Sequence, residues 1–355
     1  MENMIIGRES EKKVLRGLLD STKPEFVALY GRRRVGKTFL INQFFEDKGV
    51  YFELLGSKDS SNETHLARFC SEVSYSFYDT KTPVEAKDWE TAFAELKKAI
   101  DITKKDQPSR KIVIFFDELP WLEKGAAGFL GALDYYWNRF FSKPAYTGLI
   151  LVVCGSAASW IIRKVINSKG GLHNRVTRTI RLEPFCLSET ERYLHSRGLG
   201  LDRKQILELF MCIGGVPFYL SLVERGESAA QAIDRLCFQR NGPLVGEFDR
   251  LFSSLFDNHA YHIQLVKTLA RTKKALTRND ILARTGLPNS GDVSMAIREL
   301  EEAGFVVRMP PFGKKKKGSL YRMIDEYVVF YLDWIEPVNT KITHGREQNF
   351  WIQSS

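Results

Sequence analysis

Two periodicities take turns along this chain. Phe26–Tyr30 is an unbroken apolar run, the pattern of a strand buried on both faces, and Phe39, Leu40, Phe44 and Phe45 then recur at helical spacing. Gly49 interrupts that helix, and Val50–Leu55 reads as a second strand. Leu66, Phe69, Val73 and Phe77 predict one amphipathic helix, and Trp89, Phe93, Leu96 and Ile100 another, their aromatic stripes facing a core. A third apolar strand lies within Lys111–Glu118, and Leu149 to Cys154 supplies a fourth. Between them Phe129, Leu133, Tyr136, Trp137 and Phe140 mark a helix; Val176–Leu182 is the fifth strand. Before the first strand, Val14, Leu15, Leu18 and Leu19 share one face of a short helix that Lys23-Pro24 ends. Strands and helices alternating at this length predict an α/β fold, a parallel three-layer domain over residues 1–185.

From Ser188 the strands stop. Helical segments near 188–196, 202–211, 217–224 and 228–238, broken at Gly214-Gly-Val-Pro217, predict a helical lid over 186–255. Over 256–324 the pattern is helix (260–271), helix (277–285) and helix (292–303), followed by strands at Phe305–Arg308 and Ser319–Met323. Three helices and a hairpin outline a winged helix. Tyr327, Phe330, Tyr331 and Trp334 return to helical spacing in 325–355, which reads as the start of a C-terminal extension.

Composition narrows the class. The 355 residues are 44% apolar and 27% charged, as in soluble globular chains, and no apolar run approaches a membrane span. The N-terminus lacks the basic region and apolar core of a signal peptide. Cys70, Cys154, Cys186, Cys212 and Cys237 are odd in number and widely spaced, which predicts reduced, mostly buried thiols in a cytoplasmic protein with no membrane partner. The net charge of +9 is concentrated: residues 258–324 hold 13 Lys and Arg against 5 Asp and Glu. Lys314, Lys315, Lys316 and Lys317, between Gly313 and Gly318, would project from the hairpin tip, either as a solvated turn or as contacts to duplex DNA phosphates.

The candidate chemistry begins where the first strand ends. Gly31, Arg32, Arg33, Arg34, Val35, Gly36, Lys37 and Thr38 match G-x-x-x-x-G-K-T between a strand and a helix, the context of a phosphate-binding loop. Glycines let successive N–H groups converge on an anion, and the next helix directs its positive end there. Lys37 would reach the β- and γ-phosphates of a nucleotide, Thr38 would ligate Mg²⁺, and Phe39 would complete the cradle. Asp117 and Glu118 close the third strand; Asp117 would hold Mg²⁺ and Glu118 would polarise the attacking water. Ser156, at the end of the fourth strand, belongs beside Asp117, as a water-orienting or γ-phosphate contact or as a helix cap. Arg175, Arg178 and Arg181 are candidates for stabilising charge on the transferring phosphoryl group, within the chain or on a neighbouring subunit.

Taken in order, Ile6-Gly-Arg-Glu9, Gly31 to Thr38, Phe-Phe-Asp-Glu118, Cys-Gly-Ser156, Arg175 and Gly-Gly-Val-Pro-Phe-Tyr-Leu220 resemble the archaeal/bacterial ATPase family, related to AAA+ and STAND nucleoside triphosphatases. The resemblance covers roughly residues 4–335 and implies an AAA+-like core, a helical lid and a winged helix. It implies ATP/ADP with Mg²⁺, places Ile6, Gly7 and Arg8 near the adenine, makes Pro217 the lid proline brought against the nucleotide, and favours Arg175 over Arg178 and Arg181. Two departures stand out: Leu172-His-Asn-Arg175 lacks the glycine usual before that arginine, and only the beginning of a nuclease-like C-terminal domain is present (Asp325 to Leu332). The expected protein is a slowly hydrolysing Mg-ATP switch of AAA+/STAND type, coupling nucleotide state to lid and winged-helix position. The alternatives are a DNA-binding regulator with nucleotide as a structural ligand, and a defence or stress assembly protein whose output is nucleotide-controlled self-association.

Overall fold

The apolar runs become the interior of one sheet. In the computed structural model, which describes residues 5–125, 128–168, 170–256, 258–313, 318–343 and 350–354, contacts divide the chain into two units. The first comprises Met1–Tyr30 and Lys37–Leu182; the second comprises Gly31–Gly36 and Glu183–Ser355.

In the first unit β1 (Glu25–Tyr30), β2 (Val50–Leu55), β3 (Ile112–Asp117), β4 (Leu149–Gly155) and β5 (Arg178–Arg181) are all parallel, in the order β2-β3-β4-β1-β5. β3 and β4 are buried along their whole length and β1 all but its last residue, as unbroken hydrophobic runs in a covered parallel sheet require. The edge strands differ: β2 alternates, and β5 buries only Ile180. Around the sheet run α1 (Glu9–Leu19), α2 (Lys37–Phe45), α3 (Asn62–Tyr78), α4 (Trp89–Asp106), α5 (Leu119–Gly125), α6 (Phe129–Tyr136) and α7 (Ala158–Ile161). Ser61 caps α3, and Asp88 with Thr91 forms a capping box on α4, so each helix starts where a side chain satisfies its first N–H groups. The expected aromatic stripes do pack inward: the Phe69 ring stacks 6.4 Å from Phe116, which meets Phe129 edge-on at 5.1 Å. Two helices of this unit had no counterpart in the hydrophobic pattern: α5 is seven residues long, too short for a 3.6-residue period to show, and α7 passes into a π-helical segment (Ile162–Ile166) after four residues. In the second unit the nine-residue helix Glu247–Leu255 had no counterpart either.

The second unit contains α8 (Leu187–Ser196), α9 (Arg203–Ile213), α10 (Pro217–Ser221), α11 (Ala229–Cys237) and α12 (Glu247–Leu255). There follow α13 (Ala260–Thr272), β6 (Leu276–Thr277), α14 (Arg278–Thr285), α15 (Gly291–Glu302), β7 (Val306–Met309) and β8 (Leu320–Met323). α16 (Glu326–Phe330), α17 (Asn339–Thr343) and α18 (Phe350–Ser354) close it. β7 and β8 form the expected antiparallel hairpin, and β6 adds a third strand in the order β6-β8-β7. One hydrophobic core runs from Phe185 to Trp351, so the expected divisions at 255/256 and 324/325 fall within it. Phe248 and Tyr331 stack at 4.6 Å, joining α12 to the π-helical segment (Tyr331–Ile335) that continues α16. Lys314, Lys315, Lys316 and Lys317 lie outside the described residues.

Candidate functional site

β4 lies between β1 and β3, which brings the residues following these strands to one edge of the sheet. Lys37 and Thr38 open α2 directly after the Gly31–Gly36 loop; Asp117 ends β3; Ser156 follows β4. Gly36 takes φ 90° in open space, so backbone conformation rather than room explains a glycine there. Thr38 Oγ1 donates to Asp117 Oδ2 at 2.5 Å, and the backbone N of Glu118 donates to Asp117 Oδ1 at 2.8 Å. Both oxygens of a nearly fully buried carboxylate are thereby fixed.

Glu118 adopts the left-handed φ of 48°, uncommon outside glycine and a local strain of about 1–3 kcal/mol. Its carbonyl accepts from Trp121 N at 2.9 Å, the first bond of the turn into α5. Its carboxylate is gripped by Ser156, whose hydroxyl donates to Oε1 and whose backbone N donates to Oε2 at 3.2 Å. Lys37 Nζ donates to the same Ser156 hydroxyl at 3.1 Å. The phosphate-loop lysine and the β4 serine, both buried, and the half-buried second acid thus form one polar chain. Nearby on β2, Glu53 accepts from Asn42 Nδ2 at 3.1 Å; burial first, and then the Asp117 charge, push its carboxyl up to about 7. Burial likewise raises the Cys154 thiol well above its usual range, keeping it a neutral neighbour of Asp117.

The loop itself packs within the second unit. Arg32 pairs with Asp325 and lies 5.0 Å from the Phe305 ring centre. Arg34 Nη1 is 2.6 Å from Glu247 Oε1, and its guanidinium sits 4.3 Å over Phe218, the residue after Pro217. Arg33 is exposed.

A family model described as an ATPase domain predominantly from Archaea matches residues 5–223. The chain belongs to this family. It is similar to the uncharacterized protein MJECL04 of Methanocaldococcus jannaschii, 26% identical over 345 residues, which cover 96% of this chain and 71% of the relative. In fold it is similar to the Walker-type ATPase PABY2304 of Pyrococcus abyssi (TM-score 0.66, 19% identity, 93% of this chain and 96% of that one). A second fold neighbour is the ORC2 protein of Aeropyrum pernix, solved as ADPNP–ADP complexes (TM-score 0.51, 13% identity, 95% and 92%).

Within this archaeal ATPase fold the expected residues separate into groups. Lys37, Thr38, Asp117, Glu118 and Ser156 come together. Gly7 and Arg8 both take left-handed φ, and Arg8 is buried beside Glu11 at 3.8 Å; Ile6 is half-buried. Phe39 is half-exposed at 49%. Arg175, in the turn closed by its N–H to Leu172 O, is exposed, and so are Arg178 and Arg181; none is bonded to the Lys37–Ser156–Glu118 chain among the described contacts. Two features of the candidate site escaped the sequence. A Cβ on Gly56 would meet Glu118 O at 2.4 Å, and Gly56 N donates to Asp117 O at 2.9 Å, so the residue after β2 must be small for the acid pair to sit as it does. The other is the pairing of the loop arginines with Glu247 and Asp325, which no local pattern signals. Among the described residues no group of three or more His, Cys, Asp and Glu is placed to hold a metal, and no helix is long and apolar enough to cross a membrane.

Proposed function

We propose that this member of the family binds Mg-ATP on the Gly31–Thr38 loop, hydrolyses it slowly, and switches the arrangement of residues 183–355 with nucleotide state. The supporting observation is the hydrogen-bonded chain from Lys37 through Ser156 to Glu118, beside the Thr38–Asp117 pair. A hydroxyl and a carboxylate 2.5 Å apart are the hard oxygen donors that magnesium selects, so Thr38 and Asp117 fit the ion and would hold it. When bound, magnesium neutralises charge on the β- and γ-phosphates. Lys37 contributes a point charge to the same phosphates and exchanges its Ser156 partner for a phosphate oxygen. Glu118 accepts the proton of the attacking water at a carboxylate oxygen. Ser156 orients that carboxylate from both sides, which makes it a positioning residue. The Aeropyrum ORC2 fold neighbour was solved with ADPNP and ADP, which supports a nucleotide as the ligand. Switching requires unequal affinities of ATP and ADP for the two arrangements.

Calorimetric titration tests this. Mg-ATP should bind wild type with micromolar-range affinity and Lys37→Ala not detectably; equal affinities would sink the assignment. Glu118→Gln should bind normally but turn over about 10²–10⁴ times more slowly, as loss of a general base requires.

A second reading adds duplex DNA as a partner of residues 258–324, whose helix–strand–helix–helix–hairpin order is that of a winged helix. α15 carries Glu299, Glu301 and Glu302, which would repel phosphate; the first two are engaged inside the unit, and Glu302 remains an opposing charge at the helix end. Glu299 accepts from His262 at 2.9 Å, and Glu301 lies 3.4 Å from Arg308, while Arg298 is exposed.

A further inference from the structure

An arginine beside a phosphate-binding nest is expected to turn toward the phosphates. Here two of the three loop arginines are otherwise engaged. The Arg32 side chain is 2% exposed, and so nearly is its partner Asp325 at 3%. Asp325 is itself fixed from behind, because its other carboxylate oxygen accepts from Val328 N at 2.8 Å as the cap of α16. Arg34 has a left-handed φ of 71°, unusual for an arginine. Glu247, 1% exposed, meets its guanidinium and also accepts from the Tyr219 hydroxyl at 3.0 Å, so this carboxylate too is anchored before the arginine arrives. Phe218 N reaches Arg34 O at 3.5 Å, adding a backbone contact.

We propose that Glu247 and Asp325 are positioning residues for the phosphate loop, acting through Arg34 and Arg32. The proposal rests on the nucleotide reading above. Six loop residues without regular structure are held at alternate positions by two anchored carboxylates, and Arg33 between them is left exposed. A loop ordered before its ligand arrives loses less entropy on binding. Removing Asp325 takes the carboxylate from a fully buried Arg32, and removing Glu247 takes it from Arg34, even though Glu247 itself also lies 3.4 Å from the more exposed Arg250; the loop shape therefore depends on both acids. The distant acids thereby govern affinity for an anion they do not touch.

The experiment measures Mg-ATP affinity by calorimetry, and amide hydrogen exchange over residues 31–36, on the full chain. The variants are Glu247→Gln, Asp325→Asn, Arg34→Glu, Glu247→Arg and the exchanged pair Arg34→Glu/Glu247→Arg. Gln keeps an acceptor for Tyr219 and Asn keeps a cap for α16. Each conservative variant should weaken Mg-ATP binding by about tenfold or more and speed exchange of the loop amides. The exchanged pair should regain affinity over both of its single variants, which neither a general packing role nor a direct Arg34–phosphate contact allows. Wild-type affinity and exchange in Glu247→Gln and Asp325→Asn would overturn the inference, as would a folded exchanged pair no better than its singles. Should the exchanged pair fail to fold, the two conservative variants decide. If wild type itself took up no Mg-ATP, the nucleotide reading would fail, and loop exchange would still decide whether the two acids hold the loop.

Discussion

Glu53 shows how a single side chain at the margin of the site acquires a pH dependence. It stands on β2 with Asn42 donating to it and the Tyr51 hydroxyl donating to Asn42 at 2.7 Å. Its carboxyl is raised to about 7 by burial and then by Asp117, so between the ordinary carboxylate range and pH 7 the folded chain holds a proton that the unfolded chain has released. Stability therefore falls as pH rises through that window and levels off above it. Glu53→Gln, which keeps the acceptor for Asn42 and removes the charge, should stabilise the protein at pH 8 by about 1–2 kcal/mol, a value discounted for partial solvent screening. At pH 5 the difference should shrink toward zero. Thermal unfolding at both pH values checks this; an equal gain at each would mean that the carboxyl titrates normally. Ser156 makes the complementary point: one hydroxyl serves Lys37 and Glu118 together, so the loop lysine and the second acid share a partner before any phosphate separates them.

At the level of elements, the acid pair depends on how tightly β2 and α5 approach. Gly56 is the contact point, and Gly56→Ala forces a methyl group against the Glu118 carbonyl, a backbone atom with little freedom to retreat. The expected result is a loss of about 1–3 kcal/mol in denaturant unfolding, together with slower ATP turnover as Glu118 shifts. Unchanged stability and turnover would show that the turn relaxes freely. The strands and longer helices were legible because their information is local: buried runs for β1, β3 and β4, stripes for α3 and α4, glycines and a lysine at fixed spacing for the loop. Ser156 was legible as a strand-end residue, although its grip on Glu118 depends on β4 lying next to β3. Gly56 looks like any glycine after a strand, because what makes it necessary arrives from α5, more than sixty residues later. α5 carries too few residues to display a period, α7 changes to a π-helical segment after four, and β6 is a two-residue strand; α12 went unread although Phe248, Leu251, Phe252 and Leu255 do recur at helical spacing.

For the whole molecule the open chemistry is the positive charge of residues 258–324. Phosphate contacts carry affinity but no sequence information, so binding to duplex DNA should be sensitive to salt and indifferent to sequence. Fluorescence anisotropy on a labelled duplex at several salt concentrations tests it. Changing Lys314, Lys315, Lys316 and Lys317 to Ser should make the slope of log affinity against log salt shallower by roughly 3–4, from about 0.9 per phosphate contact. Identical slopes, or no binding by wild type at low salt, would leave this segment as a regulator that touches no nucleic acid.

Arg32 and Asp325 are almost the full length of the chain apart, and that separation has a consequence for synthesis. At ordinary translation speeds the ribosome releases the Gly31–Gly36 motif roughly 15–60 s before it adds Asp325. Throughout that interval the nascent chain carries a complete phosphate-binding sequence whose first arginine awaits its Asp325 partner. Maturation of the motif is thus deferred until Asp325 has been made.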